Sequence, residues 1–331
     1  MTENTAIKKD ISEKFEAFHD DLRIIDKEIQ KFILGQDQVI RLSLTTILSG
    51  GHAVLIGLPG LGKTRLVHTL SKVMGLDTKR IQCTPDLMPA DILGSEILQQ
   101  DQDGQRHFRF IEGPVFCQLL MADEINRASP RTQSALLEAM QESRVTIAGH
   151  SRDLPKPFHV LATQNPLEQD GTYPLPEAQR DRFLMQIDVG YPDLKQEKAM
   201  VLATTAGVES APKLLFSSDK LIELQHLIRE IPVGDAVLQA ALTLVRALRP
   251  GSESTKDVRE YVEWGPGPRA SQALIQTAKA YALLNGRTTP AVEDIKTLAI
   301  PVLKHRMAIT LSARAQAVTV DDLILKTVES L

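Results

Sequence analysis

One stretch constrains the fold of this chain more than any other, a glycine-rich loop that ends in Lys63 and Thr64. It follows an apolar run over residues 53–56 and precedes a helical pattern that begins at Arg65. A G-x-x-x-x-G-K-T loop between a strand and a helix holds phosphate, because loop N–H groups and the positive end of the helix dipole converge there. The pattern predicts a nucleoside triphosphate site, and a plain strand-to-helix turn is the alternative. The residues expected around the phosphates are Gly57, Pro59, Gly60, Leu61, Gly62, Lys63, Thr64 and Arg65.

A pair of carboxylates, Asp123 and Glu124, ends a second apolar run over residues 116–122. Carboxylates at the carboxyl end of a parallel strand face the crevice in which α/β sheets bind ligands. We expect Lys63 to reach the β- and γ-phosphates and Thr64 to hold Mg²⁺. Asp123 would hold the same ion through water, and Glu124 would orient or deprotonate the attacking water. An apolar run that ends in Asp-Glu is common, but downstream of a phosphate loop it indicates a hydrolytic site.

Polar residues also follow a third apolar run, over residues 158–163. Asn165 would lie at the same sheet edge as Asp123, where its amide could contact the attacking water or the γ-phosphate. The alternative is that Asn165-Pro166 is turn chemistry only. Farther along, Arg180 and Arg182 lie in a short helical segment and would normally form a solvated face. They become candidates for contacting a transferring phosphate only if the chain assembles into a ring.

Length and composition bound the architecture. A chain of 331 residues suggests two domains or one large domain with an appendage. Its apolar share of 43% with only 4% aromatics favours α/β and helical packing, and a net charge of −4 argues weakly against an obligate nucleic-acid partner. Cys83 and Cys117 lie in apolar runs and are expected to be core residues in a reducing compartment. With no signal-like or membrane-spanning run, we expect a cytoplasmic protein without membrane insertion.

Strand and helix patterns alternate up to about residue 192, after which helical patterns take over. We expect an N-terminal amphipathic helix within residues 1–34, an α/β nucleotide-binding core over 35–200 and a helical domain over 201–331. Apolar residues of the N-terminal helix recur every three to four residues and form a stripe along one face. This pattern favours docking of the helix on its own domain over binding of a partner. Alternating patterns predict two hairpins, one around residues 106–110 and one over 144–154.

A rigid Gly-Pro turn places Arg269 at the start of a helix in the C-terminal region. A cation is unfavourable beside the positive end of a helix dipole. Arg269 is therefore a candidate for binding an anion.

Taken together, these motifs resemble the AAA+ ATPases, and within them the MoxR family, over nearly the whole chain. The runs after the phosphate loop are more specific than the loop itself. They are Leu120-Met121-Ala122-Asp123-Glu124-Ile125-Asn126-Arg127-Ala128, Leu161-Ala162-Thr163-Gln164-Asn165-Pro166, Gln169-Asp170-Gly171-Thr172-Tyr173-Pro174-Leu175-Pro176-Glu177-Ala178-Gln179, Asp181-Arg182-Phe183 and Gly267-Pro268-Arg269-Ala270.

The resemblance implies a fold and a role for each motif. The fold is a five-stranded parallel sheet flanked by helices, with two hairpin insertions that face a ring pore, followed by an all-α lid. Lys63 and Thr64 look like the Walker A pair, and Asp123 and Glu124 look like the Walker B pair. The remaining assignments are Asn165 as sensor 1, Arg182 as the arginine finger with Arg180 and Arg127 as other candidates, Arg269 as sensor 2 reaching from the lid, and Gly35 and Gln36 as the edge of the adenine pocket.

The resemblance also implies an activity, hydrolysis of ATP with Mg²⁺ in a homo-oligomer, expected to be a hexameric ring in which Arg182 acts in trans. The work performed would be chaperone-like remodelling, activation or metal-cofactor insertion of a client or adaptor with a von Willebrand factor A domain. A magnesium-chelatase-like motor subunit and a DNA-acting AAA+ motor or restriction-type GTPase are alternatives. A scaffold that binds ATP without turnover is a further one, and the presence of Glu124 counts against it.

Overall fold

The computed structural model describes residues 2–102, 105–167, 171–205, 211–252 and 254–331, with side chains described from residue 15 onward except at 203–205. Part of one predicted motif, Gln169-Asp170, lies outside the described residues, as does the second half of a turn that the sequence predicts over residues 101–104.

The architecture centres on one sheet of five parallel strands in the order β2-β5-β8-β1-β9, which confirms the predicted sheet. The strands in chain order are β1 (Ala53–Gly57), β2 (Thr78–Gln82), β3 (Gly94–Gln100), β4 (Arg106–Glu112), β5 (Leu119–Asp123), β6 (Arg144–Ile147), β7 (His150–Asp153), β8 (His159–Gln164), β9 (Met185–Val189), β10 (Val262–Trp264) and β11 (Ala308–Ile309).

Helices flank this sheet and make up most of the C-terminal region. In chain order they are α1 (Thr2–Gln30), α2 (Asp37–Leu48), α3 (Lys63–Met74), α4 (Pro89–Leu93), α5 (Pro130–Glu142), α6 (Glu177–Arg180), α7 (Leu194–Thr205), α8 (Ser218–Glu230), α9 (Asp235–Ala247), α10 (Lys256–Tyr261), α11 (Pro268–Leu284), α12 (Val292–Leu303), α13 (Leu311–Ala315) and α14 (Val320–Glu329). Short 3-10 turns cover Ile125–Arg127 and Lys304–Arg306.

Side chains of the central strands alternate between two hydrophobic cores. In β1, Leu55 packs with α1, α2, α3 and the C-terminal helices, whereas Val54 packs on the opposite face with α5. Successive side chains of a strand point to opposite faces, so a strand that is covered on both faces has an apolar residue at nearly every position. The first core joins the sheet to the C-terminal helices without interruption.

Both predicted hairpins are present, as β3–β4 and β6–β7. Arg152 on β7 joins them, since its guanidinium lies 4.0 Å from the ring centroid of Phe110 on β4 and 3.7 Å from the Glu96 carboxylate on β3. The hairpins therefore contact each other instead of projecting separately.

The N-terminal helix docks on its own chain. Its stripe of Phe15, Phe18, Leu22, Ile25 and Ile29 is buried against α2, α3 and α11. The side chain of Ile11, also in the predicted stripe, lies outside those described. The stripe is thus used within the chain, as the favoured interpretation expected.

Several boundaries differ from the sequence expectation. α1 ends at Gln30 instead of residue 34, and β2 starts two residues before the predicted Arg80. β5 starts at Leu119, because Phe116 and Cys117 are buried in the turn before the strand. An apolar run in the sequence therefore indicates that its residues are buried, but not that all of them form strand hydrogen bonds. The C-terminal region is helical as expected, with one unpredicted two-stranded ribbon of β10 and β11.

The two cysteines are buried and unpaired with each other, as expected for core residues. Burial raises the pKa of the Cys83 thiol to about 12 and that of Cys117 to about 11, so both stay protonated near neutral pH. Among the described helices, none combines the length and apolarity that crossing a bilayer requires.

A buried histidine ties the sheet to the C-terminal helices. His159 on β8 is 1% exposed; its Nδ1–H donates to the Gly51 carbonyl at 2.9 Å, and its Nε2 accepts from Gln225 of α8 at 3.1 Å. Gln225 also donates to the Ile47 carbonyl. Only the neutral imidazole fits, because a protonated Nε2 would face the Gln225 NH₂ group. Burial accordingly lowers the pKa of His159 to about 4.

This arrangement predicts acid-sensitive stability. The pKa of His159 is lower in the folded chain than the unfolded value near 6.5, so stability present above about pH 6.5 is lost as pH falls toward 4. At pH 5 this group alone should lower the free energy of unfolding by about 2 kcal/mol relative to pH 7.5. Urea unfolding at both pH values measures it. His159→Asn, which cannot titrate, should shrink the difference, and equal stability of the native chain at both pH values would contradict the prediction.

Candidate functional site

The phosphate loop lies between β1 and α3 at the carboxyl edge of the sheet. Gly60 and Gly62 have φ values of +84° and +75°, which side chains rarely adopt. A Cβ at either position would meet no atom within 4 Å, so the side of the loop that these glycines expose is open. The loop is therefore shaped to admit a ligand close to its backbone.

Gly57, Gly35 and Gln36 support the loop from outside the cavity. A Cβ on Gly57 would lie 2.6 Å from the Val189 carbonyl oxygen, so this glycine allows close approach of β9. Gln36 donates from Nε2 to the Leu61 carbonyl at 2.9 Å, which connects the turn before α2 to the phosphate loop. Gly35 has a φ of +74°, and a Cβ added to it would lie 2.5 Å from the Cβ of Gln196 in α7.

The loop faces the predicted carboxylates and amide across a cavity of about 390 Å³. Most predicted site residues meet there. The lining residues are Pro59, Gly60, Leu61, Gly62, Lys63, Thr64, Arg65, Asp123, Glu124, Thr163 and Asn165.

Lys63 folds back onto its own loop. Its Nζ donates to the carbonyls of Gly57 at 2.7 Å and Leu58 at 2.8 Å. Burial lowers the pKa of Lys63, while the charges of Asp123 and Glu124 oppose that shift. A phosphate in the cavity would offer the ammonium group a charged partner in place of two neutral carbonyls.

Thr163 contacts both acidic residues, although sequence reasoning gave it no role. Its hydroxyl donates to Asp123 Oδ1 at 2.5 Å and accepts from the Glu124 backbone N–H at 2.9 Å. The parallel register places Ala162 beside Ala122, so the residue that follows each alanine lies at the same edge. That register is the signal that would have identified Thr163.

Two further side chains hold Glu124. Its Oε2 accepts from Gln82 at the end of β2 at 3.0 Å and lies 3.3 Å from Arg127 Nη1. The backbone of Glu124 is left-handed, with φ at 54°, a strained conformation that turns the chain sharply after β5. Gln82 was not predicted as a site residue, because it is distant in sequence and comes together with Glu124 only through sheet pairing.

Asn165 is 7% exposed and follows β8. Its Oδ1 accepts from the Leu167 backbone N–H at 3.2 Å, which leaves the amide NH₂ as a donor. The Asn-Pro turn and the polar side chain at the cavity are therefore both present.

The cavity contains a donor set that fits Mg²⁺. This ion takes one or two protein oxygens and completes its shell with phosphate and water. Thr64 and Asp123 line the same cavity, and Asp123 Oδ2 is paired with Arg80 at 2.6 Å. The Thr64 hydroxyl and the Asp123 carboxylate would hold the ion beside a phosphate bound in the loop.

Arg182 and Arg269 lie together in a different cavity of about 270 Å³, at the amino edge of the sheet. Gly51, which precedes β1, and Leu184, which precedes β9, also line it. Arg269 Nη1 is 3.6 Å from Asp181 Oδ2, so this guanidinium pairs with the residue before Arg182.

The two cavities are separated by the length of the strands. A five-residue strand such as β1 spans about 16 Å, farther than an arginine side chain reaches. Arg269, predicted to be sensor 2, therefore lies too far from Lys63 and Asn165 to share one phosphate with them within a single chain, because α11 begins at the opposite sheet edge. Of the other candidates, Arg127 lies beside Glu124 of its own chain, and Arg180 is 3.5 Å from Glu177.

Comparison with known proteins gives the same architecture. Residues 52–185 match the family described as ATPase family associated with various cellular activities (AAA), and residues 254–327 match the AAA lid domain. The fold superposes on the crystal structure of a proposed ATPase from Cytophaga hutchinsonii with a TM-score of 0.90 and 37% identity, covering 98% of both chains.

Characterised and uncharacterised bacterial proteins are similar over most of their length. Chaperone MoxR1 of Mycobacterium tuberculosis is 40% identical, over 92% of this chain and 80% of that protein. Protein MoxR of Paracoccus denitrificans is 30% identical, over 88% and 89% of the two chains. The uncharacterised protein YeaC of Bacillus subtilis is 38% identical, over 90% of each.

The geometry of the phosphate loop predicts a specific binding defect. Lys63→Ala removes a charge-assisted hydrogen bond worth about 1.5–3 kcal/mol, so the Kd for Mg-ATP should rise about 10- to 100-fold. Fluorescence titration with a labelled ATP analogue measures it. Lys72→Ala, an exposed lysine on the same helix, is the matched control and should bind like the unaltered chain. Unchanged affinity in Lys63→Ala would contradict the site.

Proposed function

Because the chain belongs to the MoxR family of AAA+ ATPases, we propose that it hydrolyses Mg-ATP between the subunits of a hexameric ring to remodel or activate a client protein. The observation that carries this proposal is the convergence of Lys63, Thr64, Asp123, Glu124 and Asn165 on one cavity at the carboxyl edge of the sheet. In this proposal residues 1–34 are an N-terminal amphipathic helix that leads into the core, 35–200 are the core and 201–331 the lid.

Residues of one chain would bind the nucleotide and prepare water for attack. The loop N–H groups and Lys63 hold the β- and γ-phosphates, and Lys63 leaves the Gly57 and Leu58 carbonyls to do so. Mg²⁺ held by Thr64 and Asp123 would neutralise charge on the phosphates. Glu124 orients and deprotonates the water once it leaves Gln82, and the Asn165 amide contacts the γ-phosphate. Gln36 and Gly35 would border the adenine.

Arg182 and Arg269 would act on the nucleotide of the neighbouring subunit. Both lie about a strand length from their own phosphate loop, yet they share a cavity with each other. A head-to-tail ring in which the amino edge of one subunit faces the carboxyl edge of the next would bring both arginines to that nucleotide. The γ-phosphate would then connect the core of one chain to the arginine finger and helical region of its neighbour, and its loss would release that contact.

The client role rests on the relatives. One relative is named a chaperone, which supports remodelling as the work performed. The family resemblance further suggests a client or adaptor with a von Willebrand factor A domain, and metal-cofactor insertion as one outcome. A Glu124→Gln trap loaded with ATP and a recombinant von Willebrand factor A domain should form a complex that ADP dissolves. Strong stimulation of hydrolysis by DNA would instead favour the DNA-acting motor.

Glu124→Gln should separate binding from hydrolysis. The amide keeps the shape of the side chain but cannot accept a proton, so kcat should fall at least about 100-fold while the Kd for ATP stays unchanged. Phosphate release and nucleotide titration provide the two measurements. Glu142→Gln, an exposed glutamate at the end of α5, is the control. Persistent hydrolysis in Glu124→Gln would mean that another group activates the water.

Arg182→Ala should abolish turnover and spare nucleotide binding. An arginine supplied across a subunit boundary accelerates related reactions by about 10³-fold or more. Mixing Arg182→Ala with Lys63→Ala protein should restore part of the activity, because one chain then supplies an intact phosphate loop and the other an intact arginine. Arg269→Ala should behave the same way.

The adjacent arginine distinguishes the candidates. Arg180→Ala removes a partly exposed ion pair with Glu177, so its kcat should stay within about threefold of the unaltered chain. Absence of rescue in the Arg182 mixture, with assembly preserved by sedimentation, would count against a trans role.

A further inference from the structure

The turn after α12 is hydrogen-bonded to the segment that carries Arg182. Arg306 in this turn is only 2% exposed, and its guanidinium makes bonds with several backbone carbonyls and one carboxylate. Its Nε donates to Asp181 Oδ1 at 2.7 Å, its Nη2 to the Phe183 carbonyl at 2.8 Å, and its Nη1 to the Leu184 carbonyl at 3.1 Å. A longer contact of 3.5 Å joins Nη2 to the Asp181 carbonyl.

The same guanidinium is anchored to the C-terminal helical region. Its Nη1 also donates to the Val302 carbonyl in α12, one turn earlier in the chain. The neighbouring His305 donates from Nε2 to the Phe183 carbonyl at 2.9 Å. Burial lowers the pKa of His305 well below its usual range, so this ring is neutral and Nε2 carries its proton.

These bonds enclose Arg182. On this segment the accepting carbonyls are those of Asp181, before Arg182, and of Phe183 and Leu184, after it. The Asp181 carboxylate lies between Arg306 and Arg269. The backbone of the arginine segment is therefore held by α12 and the turn after it, instead of by β9 alone.

Resting on the function proposed above, we propose that Arg306, assisted by His305, is a positioning residue for the trans-acting Arg182. It sets the Asp181–Leu184 turn, keeps the Asp181 carboxylate in place beside Arg269, and couples the position of the helical region to the arginine offered to the neighbouring subunit. Movement of α12 would then withdraw or present Arg182.

Arginine is required here because of its shape. A planar guanidinium can serve several acceptors at fixed angles, whereas a lysine ammonium is a compact charge that cannot span the same carbonyls. Arg306→Lys keeps the charge that pairs with Asp181 but loses the fork. The turn should then tilt without losing its ion pair.

The experiment compares Arg306→Lys with a matched control, Lys304→Gln. Lys304 lies in the same turn and pairs with Asp188 and Asp321, away from the Asp181–Leu184 carbonyls. Arg306→Lys should lower kcat about 100-fold, as misplacement of a reacting group does, while the Kd for Mg-ATP at its own phosphate loop stays unchanged. Lys304→Gln should keep kcat within about threefold.

ATPase activity of mixed variant chains separates a positioning role from a purely structural one. A purely structural defect in Arg306→Lys would not be rescued by one partner variant and left unrescued by the other. Arg306→Lys mixed with Lys63→Ala should regain activity, because the Lys63→Ala chain presents a correctly held Arg182 to the intact phosphate loop. Mixed with Arg182→Ala, it should stay inactive, since both chains are then impaired on the same face. Asp181→Asn is the second variant, for use if Arg306→Lys fails to fold. It replaces a half-buried carboxylate with a neutral amide and is expected to show the same mixing pattern.

Two results would overturn the inference. Arg306→Lys with unchanged kcat would show that the turn does not set Arg182, and so would failure of rescue by Lys63→Ala in assembled rings. Failure of the proposed function looks different, because Arg182→Ala itself would then not be rescued by Lys63→Ala.

Discussion

All strands of the central sheet run in the same direction, and the account of this molecule depends on that constraint. A parallel sheet collects every carboxyl end at one edge and every amino end at the other. The phosphate loop, Asp123, Glu124 and Asn165 lie at the carboxyl ends of strands. At the opposite edge, Arg182 precedes β9 and Arg269 lies in the first turn of α11. Within one chain the phosphate cavity and the two arginines therefore lie apart, and the head-to-tail assembly proposed above would bring them together.

The central sheet and the C-terminal helices are joined by shared packing and hydrogen bonds. α1, α2, α3 and the C-terminal helices share one hydrophobic core with the sheet, and His159 and Gln225 connect β8 to α8 by hydrogen bonds. The Arg306 turn adds a second connection, to the segment that carries Arg182. In the proposed ring, these contacts would couple the phosphate cavity to the arginines offered to the next subunit, because packed interiors transmit small shifts.

Local features were predictable from the sequence because local chemistry determines them. The phosphate loop requires glycines at positive φ, Ser129 caps α5 where a proline follows, and Thr319 with Asp322 starts α14. Residues that act through distant contacts were not predictable. Thr163 and Gln82 reach the carboxylates through strand register, and Arg306 reaches Asp181 across 125 positions of sequence. The motif around Arg269 predicted an anion ligand, but a sequence motif does not state whether that anion lies in the same chain or in a neighbouring one.

The most direct test of the central claim follows specific ATPase activity against protein concentration, with assembly measured by sedimentation velocity on the same samples. If the phosphate loop of one copy needs the arginines of another, activity per chain rises with the assembled fraction and extrapolates to almost nothing for single chains. Single chains that hydrolyse ATP as fast as assembled ones would contradict the account.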